Sequence, residues 1–423
     1  MAVQTFVDSF VVAAGDSEGT TYARSGYGFS PKACIVWSSS RTESTDTTDG
    51  TLSLRYSIGF GSSTTRMGSV IWRANDNVTT TFTRMHIDDD KVAGFPLNQQ
   101  TRLAINSLDS DGITFIVSAV GTAGRVFVWA VGGDSITNAE AGIFTTPTAT
   151  GNWTLNNVDN FQPDIAFFLL AGTNSVDTSV NGSLQGFGYA ISTTKRGRVT
   201  LLQQNAVSTS NNERNSVTSE CIARGADASP THRNDFVSFN SSPGGVTLNQ
   251  LESTTAQKGV YLMIKGGDWN AGTLQTRIDT NDIAVTGLAS QPSGIFFFGH
   301  GKSLSLLADT GEDHAMLSVG AASSPSNRGC LGYSDENGLT TTEITTGVEF
   351  DEVYMSFDLA DGIEALMDLK SIESTGFTCV MDDVETLLAA DVHWISVGPA
   401  AAGQPTVKRF GGVPYMAINR GVW

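Results

Sequence analysis

Four short residue patterns recur three times in this chain, in the same order and at a period near 130 residues. Repetition at that period constrains the fold more than any single motif. Each copy must form the same local structure and meet its neighbours in a related way. The first pattern is a proline before an apolar run: Phe29-Ser-Pro31 before Ala33-Cys-Ile-Val-Trp37, Phe161-Gln-Pro163 before Ile165-Ala-Phe-Phe-Leu169, and Ser290-Gln-Pro292 before Ile295-Phe-Phe-Phe298. The second is a glycine among small and apolar residues: Ser57-Ile-Gly59-Phe60, Leu184-Gln-Gly186-Phe187 and Ser318-Val-Gly320-Ala321. The third is Gly112-Ile-Thr-Phe115, Gly245-Val-Thr-Leu248 and Gly376-Phe-Thr-Cys379. The fourth runs from Val126, Val260 and Val392 to Gly132, Gly266 and Gly398. From the glycine of the third pattern to the glycine that closes the fourth, the spacings are 20, 21 and 22 residues.

The copies read as β structure. Their runs are four to six residues long and rich in β-branched and aromatic side chains, with Gly, Asn, Asp and Ser clusters between them. Some runs alternate, as Phe127, Trp129 and Val131 do, and others are apolar throughout, as a strand covered on both faces must be. The expected fold is all-β: three tandem antiparallel β-sandwich or jelly-roll-like domains at 1–139, 140–272 and 273–406, followed by a segment at 407–423. Linkers of about ten residues without a Ser/Gly or Pro-rich spacer predict a fixed mutual arrangement, a row or a pseudo-threefold cluster. Two details are expected to vary. Aligning Phe236-Val-Ser-Phe239 with Tyr354-Met-Ser-Phe357 leaves an insert in the third copy, which reads as a short helix over residues 361–370. Gly112, Gly245 and Gly376 each follow a polar turn, where a left-handed backbone would demand glycine.

Composition narrows the partners. The formal charge is −18, which disfavours phosphate backbones and anionic lipid. The one tight basic cluster, Lys195, Arg196 and Arg198, reads as a solvated strand or turn. No apolar run approaches the roughly 20 residues a membrane helix needs. The four cysteines, Cys34, Cys221, Cys330 and Cys379, have no metal spacing and read as free buried thiols. No basic and apolar leader opens the sequence, so synthesis in a cytoplasm without a signal peptide is expected.

Chemistry is sparse. There is no GxSxG, GxxxxGK[ST] or HExxH pattern. His393 falls at a packed strand position, and His300 and His314 near Asp309, Glu312 and Asp313 lack tight ligand spacing. His86-Ile-Asp-Asp-Asp90 and Asp109-Ser-Asp-Gly112 resemble fragments of calcium loops but read as polar hairpins. No catalytic residue, cofactor or metal is expected. Trp153 and Trp269 are either partly buried at domain junctions or exposed for stacking on sugars.

The patterns Phe161-Gln-Pro-Asp, Phe236-Val-Ser-Phe, Gly245-Val-Thr-Leu and Tyr261-Leu-Met-Ile-Lys-Gly-Gly resemble a repeat of proteins from tailed bacteriophages and prophages. The ending Arg409-Phe-Gly-Gly-Val-Pro-Tyr-Met-Ala-Ile-Asn-Arg-Gly-Val-Trp423 is similar to C-termini of phage structural proteins. The resemblance implies a non-enzymatic virion protein. An outer head decoration or cement protein is the first reading, and a tail or baseplate protein, including a fibre that binds host-surface glycans, the second. Partners would be capsid or tail subunits, with a homotrimer by analogy, and neither nucleic acid nor membrane. The apolar 407–423 segment would close the third domain as a strand or dock on a partner through Phe410, Pro414, Tyr415, Met416 and Trp423.

Overall fold

The computed structural model describes the whole chain except residues 1, 44, 50–52, 95–100, 120, 226–230, 254, 302–311, 358–361, 386–388 and 401–423. The described residues form antiparallel strands and no helix. They build three seven-stranded and three four-stranded sheets. In the first large sheet the order is Gln4–Val12, Gly124–Gly132, Pro31–Ser39, Leu54–Ser63, Arg66–Ala74, Thr83–Asp88 and, last, Val180–Asn181. The first small sheet runs Thr21–Ser25, Gly112–Ala119, Arg102–Asp109 and Ala93–Gly94. The second and third pairs repeat this order strand for strand. The chain crosses to the second large sheet before Ile136–Thr145 and to the third before Asp268–Gln275, a few residues ahead of the expected boundaries at 139 and 272.

Each large sheet is covered on both faces, which explains its continuously apolar strands. On Pro31–Ser39, Cys34 and Val36 pack against Leu103, Ile113 and Phe115 of the small sheet. Ala33, Ile35 and Trp37 point the other way, into a core shared by all three large sheets. That shared core gathers Trp37 and Trp129 from the first sheet, Phe167 and Phe187 from the second, and Phe296 and Phe298 from the third. The four cysteines are free and buried.

The last strand of each large sheet comes from another part of the chain. Val180–Asn181 adds to the first sheet beside Thr83–Asp88, and Glu312–Asp313 adds to the second beside Asn212–Val217. Thr47–Asp49, from the first pair, adds to the third sheet beside Ile344–Glu349. The donations run second to first, third to second and first to third. They close a ring, so the arrangement is a pseudo-threefold cluster and not a row.

Two expectations are corrected. The helical insert is a strand, Ile363–Glu373, in which Ala365, Met367 and Leu369 are buried and alternate with more exposed neighbours. The insert arose from aligning unlike strands. Tyr354–Phe357 is the edge strand corresponding to Ile222–Arg224, whereas Thr231–Ser241, which holds Phe236-Val-Ser-Phe239, corresponds to Ile363–Glu373. The glycines of the third pattern are also needed for a different reason. Only Gly245 has a positive φ, 139°. A Cβ at Gly112, Gly245 or Gly376 would collide with the carbonyl of Arg24, Leu155 or Val285 on the neighbouring strand. The second pattern follows the same rule. A Cβ at Gly59, Gly186 or Gly320 would meet the carbonyl of Val92, Ala223 or Val353, where the small sheet crosses the large one.

Candidate functional site

The polar residues that the repeats share gather at one pole. Between its fifth and sixth strands each large sheet sends out an eight-residue loop: 75–82, 204–211 and 336–343. Backbone hydrogen bonds link the loops in a ring. Thr81 N donates to Val207 O (2.9 Å) and Ala206 N to Thr81 O (2.8 Å). Ser210 N donates to Leu339 O (2.8 Å) and Gly338 N to Ser210 O (2.9 Å). Asn77 N donates to Thr342 O (2.9 Å) and Thr342 N to Val78 O (3.0 Å).

Side chains repeat the ring. Asn205 Oδ1 accepts from Thr83 N (2.9 Å), Asn337 Oδ1 from Asn212 N (2.8 Å) and Asp76 Oδ1 from Ile344 N (3.0 Å). The next residue in each loop, Asn77, Ala206 or Gly338, has φ of 52°, 60° or 76°. The turned backbone leaves Thr79, Thr80, Ser208, Thr209, Thr340 and Thr341 exposed as a crown of hydroxyls. Replacing Asn205 by Ala should cost about 1–2 kcal/mol, because the Thr83 N–H loses its acceptor. Asn205→Asp, which restores the residue type found at Asp76, should recover most of that loss in urea denaturation.

The other pole is built by hairpins that clasp the next sheet's edge strand. Ala141 N donates to Ser62 Oγ (2.9 Å), and Arg66 pairs with the buried Glu140 (3.0 Å). Lys195 Nζ donates to Asn270 Oδ1 (2.5 Å). Asn327 completes the ring by accepting from Val7 N (2.8 Å) and donating to Val7 O (2.7 Å). Strand directions place Gln4, Gly132, Gly266 and Gly398 at this pole, opposite the crown. The chain therefore leaves its last described strand on the clasp side.

Other predicted residues fall mainly into packing roles. His393 stacks on Phe298 with centroids 4.8 Å apart, and its Nε2 lies 2.7 Å from Ser216 Oγ. Burial lowers its pKa to about 3, so it stays neutral. His314 Nδ1 accepts from Asn337 N (3.0 Å), and His300 is buried with its carbonyl accepting from Arg214. Asp309 lies outside the described residues. Asp111 binds the backbone N–H groups of Gly26 (3.0 Å) and Gly28 (2.6 Å) across a polar hairpin, as expected. Trp153 is half-buried and donates to Asn234 Oδ1 (2.8 Å), and the buried Trp269 donates to Gly266 O (2.7 Å). Trp153 stacks on Phe144 with centroids 6.2 Å apart, and Trp269 sits in the shared core.

The basic cluster is corrected. Arg198 is buried and binds Glu220 through Nε (3.0 Å) and Nη2 (2.7 Å), while Arg196 pairs with Asp235 (2.5 Å). Only Lys195 is solvated as expected. His86-Ile-Asp-Asp-Asp90 is not a simple polar hairpin either, since His86 and Asp88 are buried on a strand. The docking residues Phe410, Pro414, Tyr415, Met416 and Trp423 lie outside the described residues.

No protein-family model and no curated protein matches this chain. A comparison with solved structures returns the outer-membrane protein OccK5 (OpdH) of Pseudomonas aeruginosa. It is 9% identical over 86% of this chain and 96% of that one, with a TM-score of 0.11, too low to indicate a shared fold.

The crown's signal in the sequence is polar and short. The loops align as Asp76-Asn-Val-Thr-Thr-Thr81, Asn205-Ala-Val-Ser-Thr-Ser210 and Asn337-Gly-Leu-Thr-Thr-Thr342. An Asx, any residue, Val or Leu and then three hydroxyl residues is a fifth repeated pattern, distinct from the apolar and glycine landmarks.

Proposed function

We propose that this chain is a non-enzymatic structural protein of a tailed-phage virion, seated as an outer head decoration or cement protein on a threefold position of the head lattice. The observation that carries this reading is the closed ring. Strand donation, hairpin clasp and loop crown each run cyclically through the three sheet pairs. One chain thus presents three related surfaces about one axis, and it can match a threefold site without a second copy. The two poles give it a direction. The 407–423 segment follows the clasp pole, so it is the anchor, and the crown faces outward. A net charge of −18 suits an outward position and opposes contact with packaged DNA.

Immunogold electron microscopy of the particle tests this reading. Dense label over the head is expected, and label confined to the tail or its tip would replace it with the tail or baseplate reading. A chain ending at residue 406 is expected to keep its melting temperature and to lose at least tenfold in co-sedimentation with undecorated heads. Undiminished binding would remove Phe410, Pro414, Tyr415, Met416 and Trp423 from the anchor.

A further inference from the structure

The seams created by strand donation bring acidic residues from distant parts of the chain together. At the seam between the first and second sheet pairs, Asp177 precedes the donated strand Val180–Asn181 and meets Asp88 at the end of Thr83–Asp88. Asp177 is held by its backbone N–H, which donates to Ile87 O (2.8 Å), and by a left-handed φ of 53°. Its carboxylate shares one cluster with His86 and Asp88 and a second with Asp89 and Asp90. Within each cluster the ligand atoms lie within 4.8 Å of one another.

Asp88 supplies the independent observation. The residue is fully buried. Its Oδ1 accepts from Arg102 (2.7 Å) and faces His86 Nε2 (3.1 Å), whereas its Oδ2 is buried and, among the described residues, meets no donor but the neighbouring Asp177 carboxyl, which donates only when protonated. A buried carboxylate oxygen with no donor, against a second carboxylate, is costly unless a proton or a cation lies between them. Lys91 does not fill that role, since its Nζ pairs with Asp90 (2.5 Å).

The same arrangement recurs at the seam between the third and first pairs. Val180 pairs with Met85 as Asp49 pairs with Thr346, so Asp177 corresponds to Asp46, and Asp88 to Glu349. Asp46, the buried Glu349 and the exposed Asp351 again place ligand atoms within 4.8 Å of one another. Asp46 Oδ1 is anchored by Phe350 N (2.8 Å). At the remaining seam the strand position equivalent to Asp88 and Glu349 is Val217, so the pair of carboxylates is not repeated there.

We propose that these two seams are binding sites for a hard divalent cation, with calcium as the fitting ion, and that the bound ion ties each donated segment to the sheet receiving it. The donors are carboxylate oxygens from two distant parts of the chain, and His86 is already engaged with Asp88. That set suits calcium, which takes many oxygen ligands in adaptable geometry, over zinc, which favours nitrogen and sulfur.

The test is calorimetric titration of the full chain with calcium chloride after treatment with chelator, paired with thermal melts. Two calcium ions per chain are expected, with a rise of several degrees in melting temperature. Asp177→Asn should remove one ion, and Asp177→Asn with Asp46→Asn should remove both. The chelated double variant should melt no lower than the chelated parent, because a charge repulsion has gone. Absence of calcium heat and of any calcium-dependent shift in the parent would overturn the proposal, and that result needs no variant to fold. So would a shift unchanged in the double variant, or zinc binding abolished by His86→Ala in place of calcium binding.

Discussion

Truncating Phe296 to alanine is expected to lower the unfolding free energy by about 4 kcal/mol and to shift the melting of the whole chain, not of the third sheet pair alone. The ring of Phe296 packs among aromatic rings from all three pairs. Its centroid lies 5.9 Å from Trp37, 5.5 Å from Trp129, 6.4 Å from Phe167 and 5.7 Å from Phe187. Removing it leaves a cavity that no single sheet can collapse, because each wall is also held by its own small sheet. The neighbouring Phe297 gives the contrast. It faces the core between the third large and small sheets and packs against Phe377 at 6.0 Å. Phe296→Ala should give one endotherm at lower temperature by scanning calorimetry, with calorimetric and van't Hoff enthalpies in the same ratio as the parent. A split endotherm in which only one component moves would show that the sheet pairs melt independently and that the shared core does not couple them.

That coupling bears on what a sequence can disclose. The apolar and glycine patterns were readable because they mark strand centres and backbone crossings, which every copy needs. Ile295-Phe-Phe-Phe298 points to a strand covered on both sides, and Phe296 and Phe297 do enter different cores. What covers the second face was not readable, because periodicity reports that a face is buried and not which segment buries it. The donated strands are two or three residues long, too short to carry a period. Residues 361–370 illustrate the opposite failure. Ala365, Leu366, Met367 and Leu369 satisfy a helical reading as easily as an alternating one, and pairing with Gly376–Asp383 decides between them. Arg198 reads as solvated because its partner Glu220 lies 22 residues on, across a fold that composition does not disclose. The seam carboxylates share that difficulty. Asp88 stands in the sequence only within a calcium-loop fragment that reads as a polar hairpin, and nothing links it to Asp177 until strand donation brings the two together, although Asp46-Thr47 and Asp177-Thr178 do form a repeated pair.

Between pH 8 and pH 5.5 the protein is expected to become more stable as the solution is acidified, with about 2 kcal/mol coming from each of Asp335 and Glu385. The buried Glu349 and Glu352, raised to about 8 and about 9 by burial and neighbouring acids, act in the same sense. Asp335, beneath the crown, is driven up to about 7 by burial, against the opposing hydrogen bonds from Gln203 (2.5 Å) and Asn212 (2.9 Å). Glu385 is likewise driven up to about 7 by burial, although Thr276 (3.0 Å) and Ser356 (3.1 Å) both donate to it. A carboxyl whose folded pKa exceeds its unfolded value holds its proton more tightly in the native state. Its contribution is complete below the unfolded value, near 4, and is lost as pH rises through 7. Buried ion pairs act in the opposite sense at the acid end. For Glu220, burial raises the pKa, but the charges of Arg198 and Arg233 outweigh it and hold the group below its usual range. Stability from that pair is lost when Glu220 takes up a proton below about pH 4. The melting temperature should therefore pass through a maximum between about pH 4 and 6 in chelator-treated protein. Asp335→Asn with Glu385→Gln should make the profile between pH 5.5 and 8 shallower and leave the acid limb in place. A parent profile that rises toward pH 8 would mean that these two carboxyls are ionised in the folded protein and compensated by groups other than the hydroxyls and amides that surround them.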